Sequence, residues 1–232
     1  PMDWAATGDD KQVFVSMPER GQVAVIDTET FRRVATLEAG AQPLRVALQP
    51  DQRLLWVGNN SDDPAKGGVT VIDVHSRSML KSFVTGSGHH EIAFSSDSRY
   101  AFVTNRDGGT LSIIDAAEMR LVKTLDVGPH PLSVAYSPLS QAVYVADGEE
   151  GTVRVIDARS HHLRHTVKAE QGLGPMRFSN DGRYGIVLNT LESQALVIDA
   201  STDKLIHRLA VAAVPYQLAF TNREAYVRGL SS

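Results

Sequence analysis

A short motif, two β-branched residues followed by an aspartate, recurs five times along the 232-residue chain. Its aspartates lie 46, 42, 42 and 42 residues apart. They are Asp27, Asp73, Asp115, Asp157 and Asp199. A second series of turn aspartates keeps the same phase: Asp9, Asp51, Asp97 and Asp181. Four extra residues in the loop Asn59–Gly68 account for the longer step in both series. Two markers with one period indicate a chain built from repeats of about 42 residues.

Each repeat contains four short apolar runs separated by turn residues. In the third repeat these runs are Glu91–Ser95, Tyr100–Thr104, Leu111–Ile114 and Leu121–Val127. Runs of this length, rich in Val, Ile, Phe and Tyr and bounded by Gly, Asn and Asp, predict β-strands. None has the length or period of an amphipathic helix. Four strands in each unit of this length predict an all-β fold, a β-propeller of four-stranded blades.

The repeats divide the chain into five blades and half of a sixth. Their approximate bounds are 1–40, 41–86, 87–128, 129–170, 171–212 and 213–232. We therefore expect a single β-propeller domain over residues 1–232. A half blade leaves an unpaired sheet edge, so we expect the natural protein to be longer. The opening Pro1 likewise suggests a processed chain or a fragment.

Composition argues against several classes of protein. With 23 basic and 27 acidic residues and a net charge of −4, the chain lacks the basic excess typical of nucleic-acid binding. No apolar run reaches the roughly 18 residues of a membrane span. The absence of cysteine excludes disulfides, thiolate metal sites and c-type haem attachment. The sequence also lacks the metalloprotease, dinucleotide-binding and nucleophile-elbow motifs, so no catalytic residue is assigned. The sequence therefore argues against an enzyme without excluding one.

Several strands resemble the repeat of the YVTN family of β-propellers. The segments that carry the resemblance are Tyr100–Asn105, Leu111–Asp115, Ala142–Asp147, Val153–Asp157 and the linker Val127–Pro131. The resemblance covers essentially the whole chain and extends more distantly to the haem-d-type propeller of nitrite reductase. It implies seven blades in the complete protein and a periplasmic or cell-surface location. It is specific for the fold and weak for function, and Val187–Asn189 is a degenerate copy of its second strand.

Aligning the repeats brings the loops that enter the inner strands to one rim of the propeller. On this alignment His89, His90 and His130 come from adjacent blades, and the pair His89–His90 departs from the repeat consensus. Imidazoles are common ligands of transition metals, so these three histidines are predicted to bind a transition metal or haem. Glu91 would be a further ligand or would orient one of them. The alternative is that the histidines cap strand ends and bind loop carbonyls.

Other polar residues are weaker candidates. Asn60, Asp62 and Asp63 form an oxygen-rich loop, but the full calcium-loop spacing is absent and we expect a solvated turn. Three histidines of the outer turn and fourth strand of one blade are expected to be solvated: His161, His162 and His165. The recurrent aspartates are expected to accept hydrogen bonds from backbone N–H groups of the following turn.

Two functions from different classes fit this sequence. The first is an exported, non-enzymatic binding or scaffold propeller that presents its channel mouth to a small ligand or another protein. The second is a metal- or haem-binding, redox-related propeller that uses His89, His90 and His130. The remaining residues expected on the binding face are Arg45, Glu91, Arg106, Tyr216 and Arg228. A cell-surface structural protein is a third, weaker interpretation. We expect neither a nucleic-acid partner nor a membrane span.

Overall fold

A computed structural model describes residues 2–63, 65–211, 214–220 and 225–229, and the side chains of residues 219, 220 and 225–229 fall outside that description. The chain divides into two compact units, residues 1–124 and 125–232. In the described ranges both consist of short antiparallel strands, together with one turn of 3₁₀-helix at Pro18–Arg20.

The first unit contains three four-stranded sheets, each formed by strands consecutive in the chain. The first sheet comprises β1 (Trp4–Ala6), β2 (Gln12–Met17), β3 (Gln22–Asp27) and β4 (Arg33–Glu38). The second comprises β5 (Pro43–Leu48), β6 (Leu54–Asn59), β7 (Gly68–Asp73) and β8 (Ser78–Val84). The third comprises β9 (Ile92–Phe94), β10 (Tyr100–Asn105), β11 (Thr110–Asp115) and β12 (Arg120–Asp126), whose last residues lie beyond the unit boundary.

The second unit contains two four-stranded sheets and one of two strands. The fourth blade comprises β13 (Pro131–Ser137), β14 (Ala142–Asp147), β15 (Thr152–Asp157) and β16 (Leu163–Lys168). The fifth comprises β17 (Leu173–Phe178), β18 (Tyr184–Asn189), β19 (Gln194–Asp199) and β20 (Lys204–Ala210). The two-stranded sheet pairs β21 (Pro215–Phe220) with β22 (Ala225–Gly229). The predicted strands and their grouping into five blades and a half are therefore confirmed.

Neighbouring blades within each unit pack face to face through their apolar residues. In the first unit, Phe14 of the first blade lies in one cluster with Leu55 of the second, and Trp56 lies in another cluster with Ile114 of the third. In the second unit, Tyr144 packs in the cluster that contains Met176. Full burial of one such side chain is worth roughly 1.5–3 kcal/mol, so this packing dominates the stability of the blades. Burial on both faces also explains why β6 and β14 are buried at every position.

The recurrent aspartates are structural, as the repeat predicts. Oδ1 of Asp157, at the end of β15, accepts hydrogen bonds from the backbone N–H groups of Arg159 at 3.0 Å and Ser160 at 2.7 Å. The other four make the same kind of bond to the turn that follows them. The turn aspartates of the second series do so two residues on, as Asp97 does with the N–H of Arg99 at 3.1 Å. Both series thus define turns between strands rather than a binding site.

Residues on and beside the outer strands are mostly exposed, as expected, with His161 as an exception. Six of the seven residues of β8 are exposed, as expected for the strand at the outer edge of a blade. His162 and His165 are exposed as well. His161 is not solvated, because its side chain is 8% exposed. It occupies the left-handed position of the turn between β15 and β16, with φ of 58°, and its N–H donates to the Asp157 carbonyl at 2.9 Å. The turn thus folds the ring inward instead of leaving it on the edge.

Candidate functional site

A line of four ionisable side chains connects the starts of the three inner strands of the first unit. The Arg45 guanidinium lies between two carboxylates, 3.2 Å from Oδ2 of Asp3 and 3.2 Å from Oε2 of Glu91. Nε2 of His89 lies 3.3 Å from the other oxygen of Glu91. We call Asp3, Arg45, His89 and Glu91 the inner-strand cluster. The side chains are 16–32% exposed, so the cluster is shielded from water but reachable by a ligand.

Three members of the inner-strand cluster occupy the same position in successive repeats. Asp3, Arg45 and Glu91 each lie at or just before the inner strand of the first, second and third blade. Equivalent residues of these adjacent blades lie close together at this end of the strands. The repeat therefore places the Arg45 cation between the carboxylates of Asp3 and Glu91. Asp3 was not among the residues predicted from the sequence. Counting 42 residues back from Arg45 finds it.

Asp3 also joins the backbones of two blades. Its Oδ2 accepts a hydrogen bond from the N–H of Val46 at 2.9 Å. In the second unit Ser133 stands at the matching repeat position, and its Oγ accepts from the N–H of Met176 at 2.9 Å. The same link between blades is therefore made by a carboxylate in one place and by a hydroxyl in the other. The negative charge of Asp3 is not needed for this link, which leaves it available to pair with Arg45.

His90 is buried beneath the cluster and holds one defined tautomer. Its Nδ1 lies 3.0 Å from the Thr104 carbonyl and 3.1 Å from Oδ1 of Asn105, and the ring is 1% exposed. The Asn105 amide nitrogen donates to Thr110 and Ser112, so its oxygen faces the ring. Since both neighbours of Nδ1 are acceptors, Nδ1 carries the hydrogen. Nε2 then holds a lone pair, and among the described residues it has no hydrogen-bond partner.

Burial lowers the pKa of His90 below its ordinary value, because a charged imidazolium would lose its hydration there. The Thr104 carbonyl opposes this shift and the neighbouring His89 adds to it. In the other repeats the position of His90 is taken by Leu44, Leu132, Gly174 and Tyr216. His90 is therefore a neutral ring in a position that elsewhere is mostly apolar, and its covered Nε2 is not open to a ligand in this conformation.

The remaining predicted residues lie elsewhere or are engaged. Arg106 pairs with its neighbour Asp107 at 2.8 Å and does not join the cluster. His130 belongs to the second unit, where its backbone N–H donates to the buried carboxylate of Asp147 at 2.7 Å. Tyr216, on β21, is 49% exposed. Arg228 falls on β22, where the side chains lie outside the described residues.

The structure groups fewer metal ligands than the sequence pattern suggested. Across the described ranges, no three His, Asp or Glu side chains are arranged to hold a metal ion. In the calcium-like loop, Oδ1 of Asp63 accepts from the N–H of Ala65 at 3.0 Å and its other oxygen pairs with Lys66 at 3.3 Å. A carboxylate that closes its own turn fits the solvated loop expected there. The assignment of His89, His90 and His130 as metal ligands stays a prediction.

Part of the chain is similar in sequence to known proteins. Residues 62–172 match the cytochrome D1 heme domain family. This segment is a little under half of the chain and includes His89, His90 and Glu91. The protein NirF of Pseudomonas aeruginosa is 28% identical over 108 residues, and NirF of Stutzerimonas stutzeri is 27% identical over 105. These matches cover 47% and 45% of the chain and 26% of each relative, so the matched part spans about a quarter of their length. The chain is thus distantly similar to the haem d1 propeller of nitrite reductase.

Solved structures confirm the β-propeller fold. The chain superimposes on hydrazine synthase of Kuenenia stuttgartiensis with a TM-score of 0.68 at 14% identity, covering 100% of this chain and 96% of that one. A functionally unknown protein from Desulfotomaculum acetoxidans DSM 771 gives a TM-score of 0.83 at 12% identity, with 94% and 73% covered. At such identities the likeness is one of fold alone. In the described residues no helix has the length and apolar character needed to cross a bilayer.

Proposed function

We propose that this chain is a non-enzymatic binding propeller whose inner-strand cluster holds a haem-type ligand. The observation that carries the proposal is the pair of His89 and Glu91. Glu91 Oε1 lies 3.3 Å from Nε2 of His89, so the carboxylate orients the ring and holds the hydrogen on Nε2. The ring nitrogen left with a lone pair is Nδ1. A carboxylate behind an imidazole is the usual support of a metal-ligating histidine.

The donor set favours a macrocycle over a bare ion. A structural or catalytic zinc site takes three or four protein ligands, and the described residues offer no such group. A haem brings four nitrogen donors of its own and needs only one or two axial ligands from the protein. His89, with its side chain 32% exposed, suits one such ligand. When bound, the group would supply the redox or ligand-binding chemistry of its iron, while the protein would position it.

The surroundings suit a flat, largely apolar ligand with acidic edges. A groove of about 580 Å³ lies at the same end of the first unit. It is lined by Met2, Met17, Leu44 and the 3₁₀ turn, which contributes Pro18, Glu19 and Arg20. Met2 and Leu44 adjoin Asp3 and Arg45 in the chain. Thioether and aliphatic side chains pack against aromatic rings, and arginine pairs with carboxylates. The match to a heme domain supports the same class of ligand.

An absorption titration of the purified protein with ferric haem tests the proposal. We expect a saturable shift of the haem absorption band at one equivalent. His89→Ala should abolish the shift, and Glu91→Gln should weaken binding about tenfold, because it removes only the orienting charge. His207→Ala, which changes an exposed histidine of β20, is the matched control and should bind as the parent does. No saturable shift, or equal binding by His89→Ala, would contradict the proposal.

The redox-related alternative with three histidine ligands makes a different prediction. It requires stoichiometric Cu, Fe or Zn in protein purified from its own host, lost on replacement of His89, His90 or His130. Mass spectrometry of the metal content decides it. If His130→Ala retained the metal, His130 would not be a ligand, and only the histidines of the first unit would remain as candidates. An exported location is also part of our proposal and rests on the YVTN resemblance; fractionation of the host cells checks it.

A further inference from the structure

A second groove lies at the opposite end of the strands from the inner-strand cluster. It encloses about 570 Å³ and is formed by turns of the first and second blades. Asp3 precedes β1 whereas Thr7, in the groove, follows it, and Arg45 lies near the start of β5 whereas Gln52 and Arg53 follow its end. The volume is within the range of roughly 300–1,000 Å³ found for small-molecule sites. The groove is therefore spatially separate from the proposed haem site.

Positive charge prevails among the residues that line this groove. Lys11, Arg53 and Arg77 are the cations, His75 lies beside them, and Asp9 is the acidic residue of the lining. The Asp9 carboxylate is already engaged, since its Oδ1 accepts from the Thr7 hydroxyl at 2.6 Å and the N–H of Lys11 at 3.1 Å. These hydrogen bonds lower its pKa and fix it in the turn. Three cations thus line the groove together with a single carboxylate, whose Oδ1 already accepts two hydrogen bonds.

Arg53 differs in its contacts from its equivalent in the third blade. Arg99 occupies in the third blade the position that Arg53 has in the second, and Arg99 pairs with Asp115 at 3.3 Å. Within the part of the chain that the structure describes, Lys11, Arg53 and Arg77 form no such ion pair, and Arg53 acts on Asp73 only at longer range. Their charges are left for a partner from solution.

The walls of the groove are held in place before any ligand arrives. Oε1 of Gln52 accepts a hydrogen bond from the N–H of Gly8 at 2.7 Å, which ties the first blade to the second across the groove. The turn of Asp9 and the turn of Asp73 are each closed by hydrogen bonds to their own backbone. Cations presented by ordered turns lose less conformational freedom on binding than those on mobile loops.

We propose that this groove binds a small oxyanion carrying at least two negative charges, of the phosphate, diphosphate or polycarboxylate class. The two guanidinium groups each present a planar fork of donors that matches two oxygens of such an anion, and Lys11 adds a point charge. Thr7, Gln12 and Gln52 supply neutral polar groups in the same lining. The site is independent of the proposed haem site, and either proposal can fail without the other.

Isothermal titration calorimetry at low ionic strength tests this site, with pyrophosphate and citrate as probes and sodium chloride as the reference anion. We expect saturable binding of at least one probe, weakening as salt is added. Arg53→Gln and Arg77→Gln should each weaken it about tenfold, since a charge-assisted contact is lost. Arg183→Gln changes the same repeat position in the fifth blade and should leave the affinity unchanged. His89→Ala should also leave it unchanged.

The two probes also distinguish the chemistry of the anion. Binding of pyrophosphate alone assigns the groove to phosphates, and binding of both probes assigns it to multivalent oxyanions in general. Arg77 is exposed on a turn, so Arg77→Gln carries the test even if Arg53→Gln lowers the stability of the fold. No binding beyond that of chloride would overturn the proposal. So would an equal loss of affinity in Arg183→Gln, because the binding would then come from general surface charge.

Discussion

Nη2 of Arg45 lies 3.2 Å from Oε2 of Glu91, and this contact joins the inner strands of two neighbouring blades. The same guanidinium reaches Asp3 of a third blade. One cation thus ties three repeats together at the rim where we place the ligand. Because these side chains are 16–22% exposed, solvent screens the pair less than it screens a surface ion pair, while a ligand can still reach it.

Removing Arg45 is expected to destabilise the first unit. Arg45→Met would leave two partly buried carboxylates without their cation and lower the free energy of unfolding by about 1–3 kcal/mol. Urea denaturation measures this. Arg120→Met is the matched control, because its pair with Glu118 is 60% and 56% exposed and should contribute less than about 0.5 kcal/mol. Equal losses in the two variants would mean that the inner-strand cluster contributes nothing beyond surface charge.

His90 should make the protein less stable in mild acid. Its folded-state pKa is lowered by burial, so below the unfolded-state value of about 6.5 the unfolded chain binds more protons than the folded one. The contribution of neutral His90 to the free energy of unfolding is therefore fully present above pH 6.5. It is lost as the pH decreases toward the folded-state pKa. His90→Leu, which restores the residue of Leu44 and Leu132, should remove this dependence. Thermal melting of both proteins between pH 7 and pH 5 checks it, and parallel curves would argue against a buried neutral imidazole.

The turn aspartates should produce a second loss of stability at lower pH. Hydrogen bonds from backbone N–H groups lower the pKa of Asp157 below 3.8, so its contribution is present above that value and is lost as the pH falls through the folded-state pKa. Asp157→Asn keeps an acceptor but not the charge, and should cost about 0.5–1.5 kcal/mol at pH 7. The difference between parent and variant should vanish near pH 2. A difference that persists at pH 2 would assign the effect to packing instead.

A buried tyrosine ties the fourth blade to the fifth. The Tyr144 hydroxyl donates a short hydrogen bond to Oδ1 of Asp203, which also pairs with Arg164 at 2.9 Å. Burial and this carboxylate raise the pKa of Tyr144, so the phenol stays protonated and donating. Asp203→Ala should cost about 2–3 kcal/mol, because two donors lose their acceptor, whereas Tyr144→Phe should cost about 1 kcal/mol. A double-mutant cycle by chemical denaturation measures the coupling, and additive losses would show that the two residues act independently.

The repeat period allowed the strands, the blades and the structural turns to be predicted from the sequence. Asp27 and its four equivalents could be assigned to turns because a residue that recurs in every blade has a structural role in the blade. The same logic pointed to the pair His89–His90 as an exception to the repeat. It did not identify Asp3, which precedes the first inner strand and matches Arg45 and Glu91 only in repeat position, not in residue type. Nor did the repeat distinguish the partly exposed His89 from the buried His90. Adjacent residues at the start of a strand point in different directions, and the packing of the blades decides which one is buried.

By itself the sequence determined which residues are equivalent, and hence that the chain is a propeller of four-stranded blades. This follows because strand length, turn chemistry and apolar burial are local properties that recur with the period. Only the tertiary structure decided that Arg45 lies between two carboxylates, that the imidazole of His90 is buried and neutral, and that Arg53 lacks the ion pair made by Arg99. Burial, hydration and the distance between charges depend on how blades pack against one another, and no single repeat contains that information.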